Sequence, residues 1–207
     1  RFHPGLGIVK HTIESGQLGR VTSARVEAGQ YLPDWHPSED YRLSYSARRA
    51  MGGGIILDAI HELDYIRWLL GEVATVACFA GHLSHLQIDS EDTAAILLRF
   101  ATGAIGEVHL DYVQRSYSRN CHIIGDEGTI RWSFGAKTVD LYTAAEGSWR
   151  GIPLSADWTA DRMYTLELDH FLRCLAGTAR PELDVANAAR VLQIALAATM
   201  KSSIRSR

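Results

Sequence analysis

The sequence has few cysteines and no excess of positive charge. Its 207 residues contain three cysteines, and 21 Lys and Arg residues stand against 24 Asp and Glu residues, a net charge of −3. Cys78, Cys121 and Cys174 are widely spaced and odd in number, so they form neither a complete disulfide framework nor a spaced metal site. Reduced thiols favour a cytoplasmic protein. The charge balance argues against nucleic acid as a partner, because nucleic-acid binding depends on clustered cations.

Signatures of membrane segments and of common active sites are also missing. The apolar stretches are short or interrupted by Asp58, Glu62 and Asp64, and none reaches the roughly 20 residues that a helix needs to cross a bilayer. No secretory leader pattern is visible. The sequence has no phosphate loop, no Gly-x-Gly-x-x-Gly turn and no Gly-x-Ser-x-Gly elbow. We therefore expect no membrane partner, and neither a nucleotide site nor a hydrolase nucleophile of these kinds in the chain.

The hydrophobic pattern predicts one α+β domain over residues 1–207. With 46% hydrophobic and 22% charged residues, the composition is that of a globular protein. After a first helix that begins near Pro4, helical spacing recurs at 55–70, 159–176 and 185–203. Alternating apolar residues predict strands at 20–27, 75–82, 93–100, 104–112, 119–125, 128–132 and 138–142. Consecutive strands flanked by helices indicate a large, mostly antiparallel sheet with helices on one face.

The strand predicted at residues 93–100 carries apolar side chains on both faces. One face holds Ala94, Ile96, Leu98 and Phe100, and the other holds Thr93, Ala95, Leu97 and Arg99. Since helices cover one face only, we expect the other face to meet the same sheet of a partner subunit, in a dimer or tetramer. Scattered exposed apolar residues are the alternative, because they are common on protein surfaces.

The densest chemical signal is a glycine triplet, residues 52–54, followed by Asp58 and His61. Residues three apart share a face of a helix, so the carboxylate can orient the imidazole and raise its proton affinity. Such a base suits the removal of a hydroxyl proton while hydride leaves the same carbon. The alternatives are a structural histidine and a capping carboxylate. The glycines either admit a ligand or simply allow a tight turn.

A metal site is not favoured in the same segment. His61-Glu62 resembles the start of the zinc motif His-Glu-x-x-His, but Tyr65 stands where the second histidine is needed. A stripe formed by Asp58, His61 and Asp64 is a weak oxygen-rich site at best. We therefore expect no bound metal.

Two further polar groups lie in the strand region. Glu107, His109 and Asp111 alternate with apolar residues, and we interpret them as decoration of a sheet face or a subunit contact and not as a second acid–base site. Arg115 and Arg119 either bind an anionic substrate or pair with those carboxylates. The sequence leaves both roles open.

Four motifs occur in collinear order along the chain. They are Arg1-Phe2-His3-Pro4, Gly16-Gln17-Leu18-Gly19-Arg20-Val21, the segment from Gly52 to Asp64, and Gly125-Asp126-Glu127-Gly128-Thr129. Together they resemble the C-terminal domain of the Gfo/Idh/MocA family of oxidoreductases, over nearly the whole chain. The resemblance implies a mostly antiparallel sheet that supplies a substrate pocket and packs face to face with a partner.

The resemblance also implies an activity. Members of that family transfer hydride between a sugar or cyclic polyol and NAD or NADP. By position, Asp58 and His61 match the family's aspartate and histidine, although their spacing is one residue shorter than in many members. The catalytic lysine and the main cofactor site belong to a preceding Rossmann domain, which this chain lacks. We therefore expect a sugar or polyol dehydrogenase when full length, and an inactive isolated chain.

Residues 30–50 are too aromatic for a linker and too rich in proline for a helix, so we predict a functional loop. Trp35, His36, Tyr41 and Arg42 are the candidates for substrate binding. Aromatic planes stack on sugar rings, and Arg42 can hold a carboxylate or phosphate. A purely structural loop is the alternative.

Two other functions compete with the dehydrogenase. The first is a binding or assembly module that keeps the sheet and the pocket without redox chemistry. The second is a metal-dependent lyase or epimerase, which would contain stoichiometric metal.

Overall fold

A computed structural model describes residues 1–201, which form one eight-stranded sheet and five α-helices. The helices are α1 (Pro4–Glu14), α2 (Ile55–Asp58), α3 (Ile60–Leu70), α4 (Asp161–Leu175) and α5 (Val185–Lys201). The strands are β1 (Val21–Gly29), β2 (Val73–Gly81), β3 (Thr93–Phe100), β4 (Ile105–Asp111), β5 (Ser118–Gly125), β6 (Gly128–Ser133), β7 (Thr138–Thr143) and β8 (Ser148–Pro153). The predicted α+β fold is confirmed.

The sheet is almost entirely antiparallel. Its strand order is β2-β3-β4-β1-β5-β6-β7-β8. Strand β1 inserts between β4 and β5, where Val26 lies opposite Val108 on one side and Cys121 on the other. The β1–β4 pairing is parallel, and the other pairings among the described strands are antiparallel. The prediction of a large, mostly antiparallel sheet is therefore correct.

The prediction of the elements needs two corrections. The helix predicted over residues 55–70 is broken at Ala59, where φ is −97° and ψ is 26°, so α2 and α3 are separate helices. Strand β8 was not predicted, because Gly151, Pro153 and its polar residues hide the alternation. Proline is tolerated there because β8 is an edge strand. The predicted helix end at Ser203 lies outside the described residues.

One face of the sheet carries the core. Side chains that alternate inward from the strands are almost completely buried against α1, α3 and α5. Examples are Ile96, Val108, Ile123, Ile130 and Leu141 from the sheet, and Leu63, Ile66 and Ala195 from the helices. Full burial of one large apolar side chain contributes about 1.5–3 kcal/mol, so this layer stabilises the positions of the helices that carry the site.

The N-terminal motif is fixed to this core by His3. Its Nδ1 accepts hydrogen bonds from the Gly5 amide, at 3.0 Å, and from the Trp132 indole, at 3.2 Å. Burial lowers the pKa of His3 to about 4, so the ring is neutral and able to accept both bonds at neutral pH. The motif that precedes α1 is therefore a structural anchor.

The opposite face of the sheet is exposed and partly apolar. Phe79 is 66% exposed, Leu97 is 50% exposed and Ile105 is 45% exposed. Beside them, Arg25 and Glu107 form an exposed ion pair with a separation of 3.0 Å. The prediction of helices on one face only agrees with this arrangement.

Helix α4 has no buried residue. Tyr164, Leu168, Phe171 and Leu175 recur at helical spacing and form an exposed apolar stripe, with 56–70% of each residue accessible. A helix of 15 residues is marginally stable in water without packing. The stripe is therefore a surface without a partner in the described part of the chain, where no helix is long and apolar enough to cross a membrane.

Candidate active site

The glycine triplet forms a tight turn packed on protein atoms. Gly54 has a φ of 121°, in the region that favours glycine, and a Cβ at this position would collide with the Glu91 carboxylate. A Cβ at Gly53 would collide with the carbonyl oxygen of Tyr45. Protein atoms thus fill the space beside Gly53 and Gly54. The turn connects directly to α2, whose first amide, Ile55 N–H, donates to the Glu91 carbonyl at 3.1 Å.

Asp58 has a different hydrogen-bond partner from the one that its spacing suggested. It ends α2, and its Oδ2 accepts a hydrogen bond of 2.6 Å from the Tyr112 hydroxyl. Burial and the neighbouring Asp58 carboxylate raise the pKa of Tyr112, so this phenol remains protonated and donates. Because Ala59 interrupts the helix between α2 and α3, Asp58 and His61 do not share one continuous helical face.

His61 is a neutral imidazole on the surface of a cleft. Its side chain is 55% exposed, and its Nε2 lies 3.3 Å from Oε1 of Glu62. Packing around the ring, followed by the positive charge of Arg119, lowers the pKa of His61 to about 4. The ring is therefore unprotonated at neutral pH, and its proton affinity is lowered, whereas the expected pairing with Asp58 would have raised it.

Glu62 and Arg119 form a buried ion pair behind His61. Glu62 is completely buried, and its Oε1 lies 2.7 Å from Arg119 Nε. Burial raises the pKa of Glu62, while Arg119 opposes that shift. Burial alone would lower the pKa of Arg119, but Glu62, Tyr117 and Tyr65 together outweigh this effect and the pKa is raised. The two charges stabilise each other, with the Glu62 side chain fully buried and the Arg119 side chain largely buried at the wall of the cleft.

The cleft lies between α3, α4 and α5 and has a volume of about 850 Å³. Its wall is largely apolar, with Phe2, Tyr164 and Phe171 among the contributors. At one side Arg1 donates two hydrogen bonds to Asp64, at 2.7 and 2.9 Å. An apolar cleft with a few convergent polar groups is the usual form of a small-molecule site.

The predicted loop residues are divided between two places. Trp35, His36 and Tyr41 line a separate cavity of about 190 Å³. Arg42 is not part of that lining, because its guanidinium is bound by Asp40 at 2.7 Å and by Gln87 at 3.2 Å. The structure thus brings Trp35, His36 and Tyr41 together and leaves Arg42 on the exposed rim.

Tyr112 connects the loop cavity to the end of α2. The Trp35 ring packs edge-on against the Tyr112 ring, with centroids 5.4 Å apart. The Tyr112 hydroxyl donates a hydrogen bond to Asp58. Asp58 therefore stands behind the loop cavity, whereas His61 faces the larger cleft. The sequence did not reveal this division.

The other charged candidates have local partners. Arg119 pairs with Glu62 and not with the strand carboxylates. His109 Nε2 lies 3.2 Å from Asp111 Oδ2, and Asp111 is buried at the end of β4. Arg115 stacks over the Tyr31 ring at 3.5 Å. Within residues 1–201, no three His, Cys, Asp or Glu side chains are placed to hold a metal ion.

The described residues do not fit the phosphate-binding half of a dinucleotide site. Such sites use a glycine-rich turn between a strand and a helix in a parallel sheet. The glycine turn here follows a loop, packs on Glu91 and Tyr45, and leads into a helix of four residues. Residues 1–201 therefore contain a largely apolar cleft lined by the His61 imidazole, and no phosphate cradle of this kind.

The structure is an α+β domain in which helices cover one face of a large, mostly antiparallel sheet and the other face is open. Residues 8–131 match the sequence model of the GFO/IDH/MocA C-terminal domain. The chain belongs to the Gfo/Idh/MocA family.

The relatives include dehydrogenases for cyclic polyols and sugars. The scyllo-inositol 2-dehydrogenase (NAD(+)) of Bacillus subtilis (strain 168) is 28% identical over 209 residues, which cover 96% of this chain and 57% of that protein. The levoglucosan dehydrogenase of Pseudarthrobacter phenanthrenivorans (strain DSM 18606 / JCM 16027 / LMG 23796 / Sphe3) is 28% identical over 162 residues, which cover 65% of this chain and 40% of that protein. The chain therefore spans about half the length of these relatives.

A solved structure shares the fold over almost the whole chain. A levoglucosan dehydrogenase in complex with NADH superimposes with a TM-score of 0.86 at 22% sequence identity. The match covers 98% of this chain and 62% of that one. The remaining part of that protein has no counterpart in this chain.

Proposed function

We propose that this chain is the substrate half of an NAD(P)-dependent dehydrogenase that acts on a hydroxyl of a sugar or cyclic polyol. The observation that carries the proposal is His61, a neutral and half-exposed imidazole on the wall of a cleft of about 850 Å³. The family and the named activities of the relatives support this chemistry. Free Cys78, Cys121 and Cys174 support a cytoplasmic location.

His61 accepts the hydroxyl proton in this proposal. The imidazole is unprotonated at neutral pH because packing and Arg119 lower its pKa. The cofactor, NAD or NADP, supplies the hydride acceptor when it is bound by the rest of the protein. The apolar wall excludes water from the reacting carbon. Because the fold already positions the imidazole, less entropy is lost in bringing the base to the substrate hydroxyl.

The loop residues and Asp58 form the second, smaller cavity in this proposal. Trp35, His36 and Tyr41 offer an aromatic cavity for substrate groups away from the reacting carbon. Asp58 stabilises the wall of that cavity, because it accepts a hydrogen bond from Tyr112, and the Tyr112 ring packs against Trp35. Arg42 stays a candidate for substrate binding at the exposed rim, where it forms an ion pair with Asp40.

A nucleotide-binding domain of the whole protein covers the exposed stripe of α4 in this proposal. The relatives are longer than this chain, so they have room for such a domain. The stripe borders the cleft, since Tyr164, Phe171 and Leu175 belong to both surfaces. Docking of the domain there closes the cleft and brings the cofactor to His61.

Reduction of NAD and NADP by the full-length protein tests this proposal. With a panel of sugars and cyclic polyols, we expect turnover by the protein that carries its upstream domain and none by residues 1–207 alone. Absorbance at the reduced-nicotinamide band measures the rate. A folded full-length protein that binds a polyol without reducing either cofactor would support the binding module instead. Stoichiometric metal in elemental analysis would support the lyase or epimerase.

We also propose that the open sheet face joins two copies of the chain. Phe79, Leu97 and Ile105 are exposed on this face, and Arg25 and Glu107 add charges of both signs. A twofold interface presents the same patch from both copies, so a patch with both signs of charge can complement itself. Pairing of such dimers into a tetramer remains part of the proposal.

A substitution that introduces a charge on that face tests the proposed dimer. Leu97→Asp is expected to shift the protein from dimer to monomer at micromolar concentration, because the interface would have to bury an unpaired carboxylate. Sedimentation equilibrium measures the change. Leu43→Asp is the matched control, since Leu43 is also exposed but lies in the loop. A wild-type protein that is monomeric throughout this range would contradict the proposal.

A further inference from the structure

The short segment before β3 holds the glycine turn and α2 in place. The Ile55 amide donates to the Glu91 carbonyl at 3.1 Å, and the Ile56 amide donates to Glu91 Oε1 at 3.4 Å. Gly54 lies against the same carboxylate, which leaves no space for a Cβ. The first amides of a helix have no partner within the helix. Glu91 therefore supplies partners for the first two amides of α2 from another part of the chain.

The Glu91 side chain serves as a hydrogen-bond acceptor and not as a counter-charge. The residue is only 9% exposed. Burial raises the pKa of Glu91, and the Asp58 carboxylate adds to that shift, whereas the Ile56 amide and Arg49 oppose it. Burial and a neighbouring like charge both disfavour the ionised form. The contact with the Ile56 amide therefore depends on the reach of the side chain more than on its charge.

The position of α2 determines one wall of the loop cavity. Asp58 is the last residue of α2, and it accepts a hydrogen bond of 2.6 Å from the Tyr112 hydroxyl. The Tyr112 ring in turn packs against Trp35, which lines the cavity. Because α2 has only four residues, the two amides bound by Glu91 fix a large part of it. A shift of α2 would therefore displace the cavity wall.

The two residues before Glu91 hold the other side of the same cavity. Ser90 Oγ donates to the Ser46 carbonyl at 2.8 Å, and Ser46 lines the cavity. The Arg49 amide donates to Asp89 Oδ1 at 2.6 Å. Residues 89–91 thus bind both the loop that lines the cavity and the helix behind it.

We propose that Glu91 is a positioning residue for the loop cavity. By holding α2, it fixes the hydrogen bond between Asp58 and Tyr112, and so the Trp35 ring on which a substrate group packs. Glu91 is not among the residues that line the cavity, so it acts through these side chains and touches no substrate. The binding of substrate in this cavity rests on the proposed function, whereas the positioning of the wall does not.

Three substitutions of Glu91 separate its contact from its charge. Glu91→Gln keeps an acceptor oxygen at the same reach and removes the charge. Glu91→Asp keeps the charge but is shorter by one methylene, so its oxygen withdraws from the Ile56 amide. Glu91→Met has no acceptor. We expect Glu91→Gln to behave as the wild type, and Glu91→Asp and Glu91→Met to displace the cavity wall.

The indole N–H signal of Trp35 in proton–nitrogen NMR spectra measures this displacement without turnover. That N–H donates to the Gln30 carbonyl at 3.3 Å, and the Tyr112 ring lies beside it, so both contacts influence its shift. Trp35→Phe assigns the signal, and Trp149 on β8 is the internal reference that should not move. We expect the Trp35 signal to move in Glu91→Asp and Glu91→Met and to stay in Glu91→Gln.

Two results of these spectra would overturn the inference. The first is a Trp35 signal that stays at its wild-type position in Glu91→Asp. The second is a signal that moves equally in Glu91→Gln, because the charge and not the contact would then hold the wall. Glu91→Asp is the mildest of the changes, so it decides the outcome even where Glu91→Met does not fold.

Turnover of the full-length variants separates this inference from the proposed function. We expect KM for the polyol to rise about tenfold in Glu91→Asp and kcat to change less, because His61 faces the other cavity. Glu127→Met is the matched control for Glu91→Met, since Glu127 is exposed in the turn between β5 and β6. An unmoved Trp35 signal with normal turnover would reject Glu91 and leave the proposed function intact. A displaced signal in a protein that oxidises no polyol would support the positioning and reject the proposed function.

Discussion

Replacement of His61 by glutamine is expected to lower kcat of the full-length protein by about 10²–10⁴-fold, the usual contribution of a general base. Glutamine keeps the side chain polar and of similar length but cannot accept the proton. KM should change little, because the half-exposed ring contributes little to binding the ground state. Initial rates at saturating polyol and NAD or NADP measure both constants.

His11→Gln is the matched control for that experiment. His11 is exposed on α1 and lies outside the residues that line the cleft, so its replacement should leave kcat unchanged. A His61→Gln protein whose kcat stays within about threefold of the wild type would show that another group accepts the proton. The cleft would then lose the base on which the proposed mechanism depends.

Replacement of Glu62 by alanine is expected to reduce the free energy of unfolding by about 3–5 kcal/mol. The substitution leaves Arg119, whose side chain is only 17% exposed, without its counter-charge. Urea unfolding of the 207-residue chain measures the change, provided that the slope of the transition stays constant.

Two variants test whether the unpaired charge causes this loss. In Glu62→Met/Arg119→Met both charges are gone, so we expect most of the stability to return. Glu107→Ala removes an acid from the exposed pair with Arg25 and should cost less than about 1 kcal/mol, because solvent screens that pair. A Glu62→Ala protein that is as stable as Glu107→Ala would contradict the buried ion pair.

Most strands were predictable because half-buried strands alternate strictly. Residues 93–100 were predicted with the bounds that the structure shows, since Ala94 and Ile96 point inward while Ala95 and Leu97 point outward. Strand β8 escaped because its edge position imposes no burial on either face. The interruption of the helix at Ala59 was not predicted, because apolar residues continue at helical spacing on both sides of it. Side-chain periodicity does not report a local change in backbone dihedral angles.

The candidate site was only partly predictable for a different reason. The sequence pointed to His61, and the structure places it on the cleft. The sequence spacing paired His61 with Asp58, because spacing indicates only which residues are neighbours along one helix. The partner of Asp58 is Tyr112, 54 residues away, and such a contact depends on tertiary packing.

Glu62 did leave a signal in the sequence. It shares a helical stripe with Ile66 and Leu69, which are both buried. A charged residue on an apolar stripe requires a buried partner. The identity of that partner depends on tertiary packing, because Arg119 belongs to β5 and lies 57 residues further along the chain.

The structure of the full-length protein with NAD or NADP and a cyclic polyol is the most direct test of the central claim. We expect the upstream domain to cover α4 and a hydroxyl of the polyol to lie about 2.6–3.2 Å from a ring nitrogen of His61. A cleft filled by side chains of the upstream domain, with the polyol bound away from His61, would contradict it.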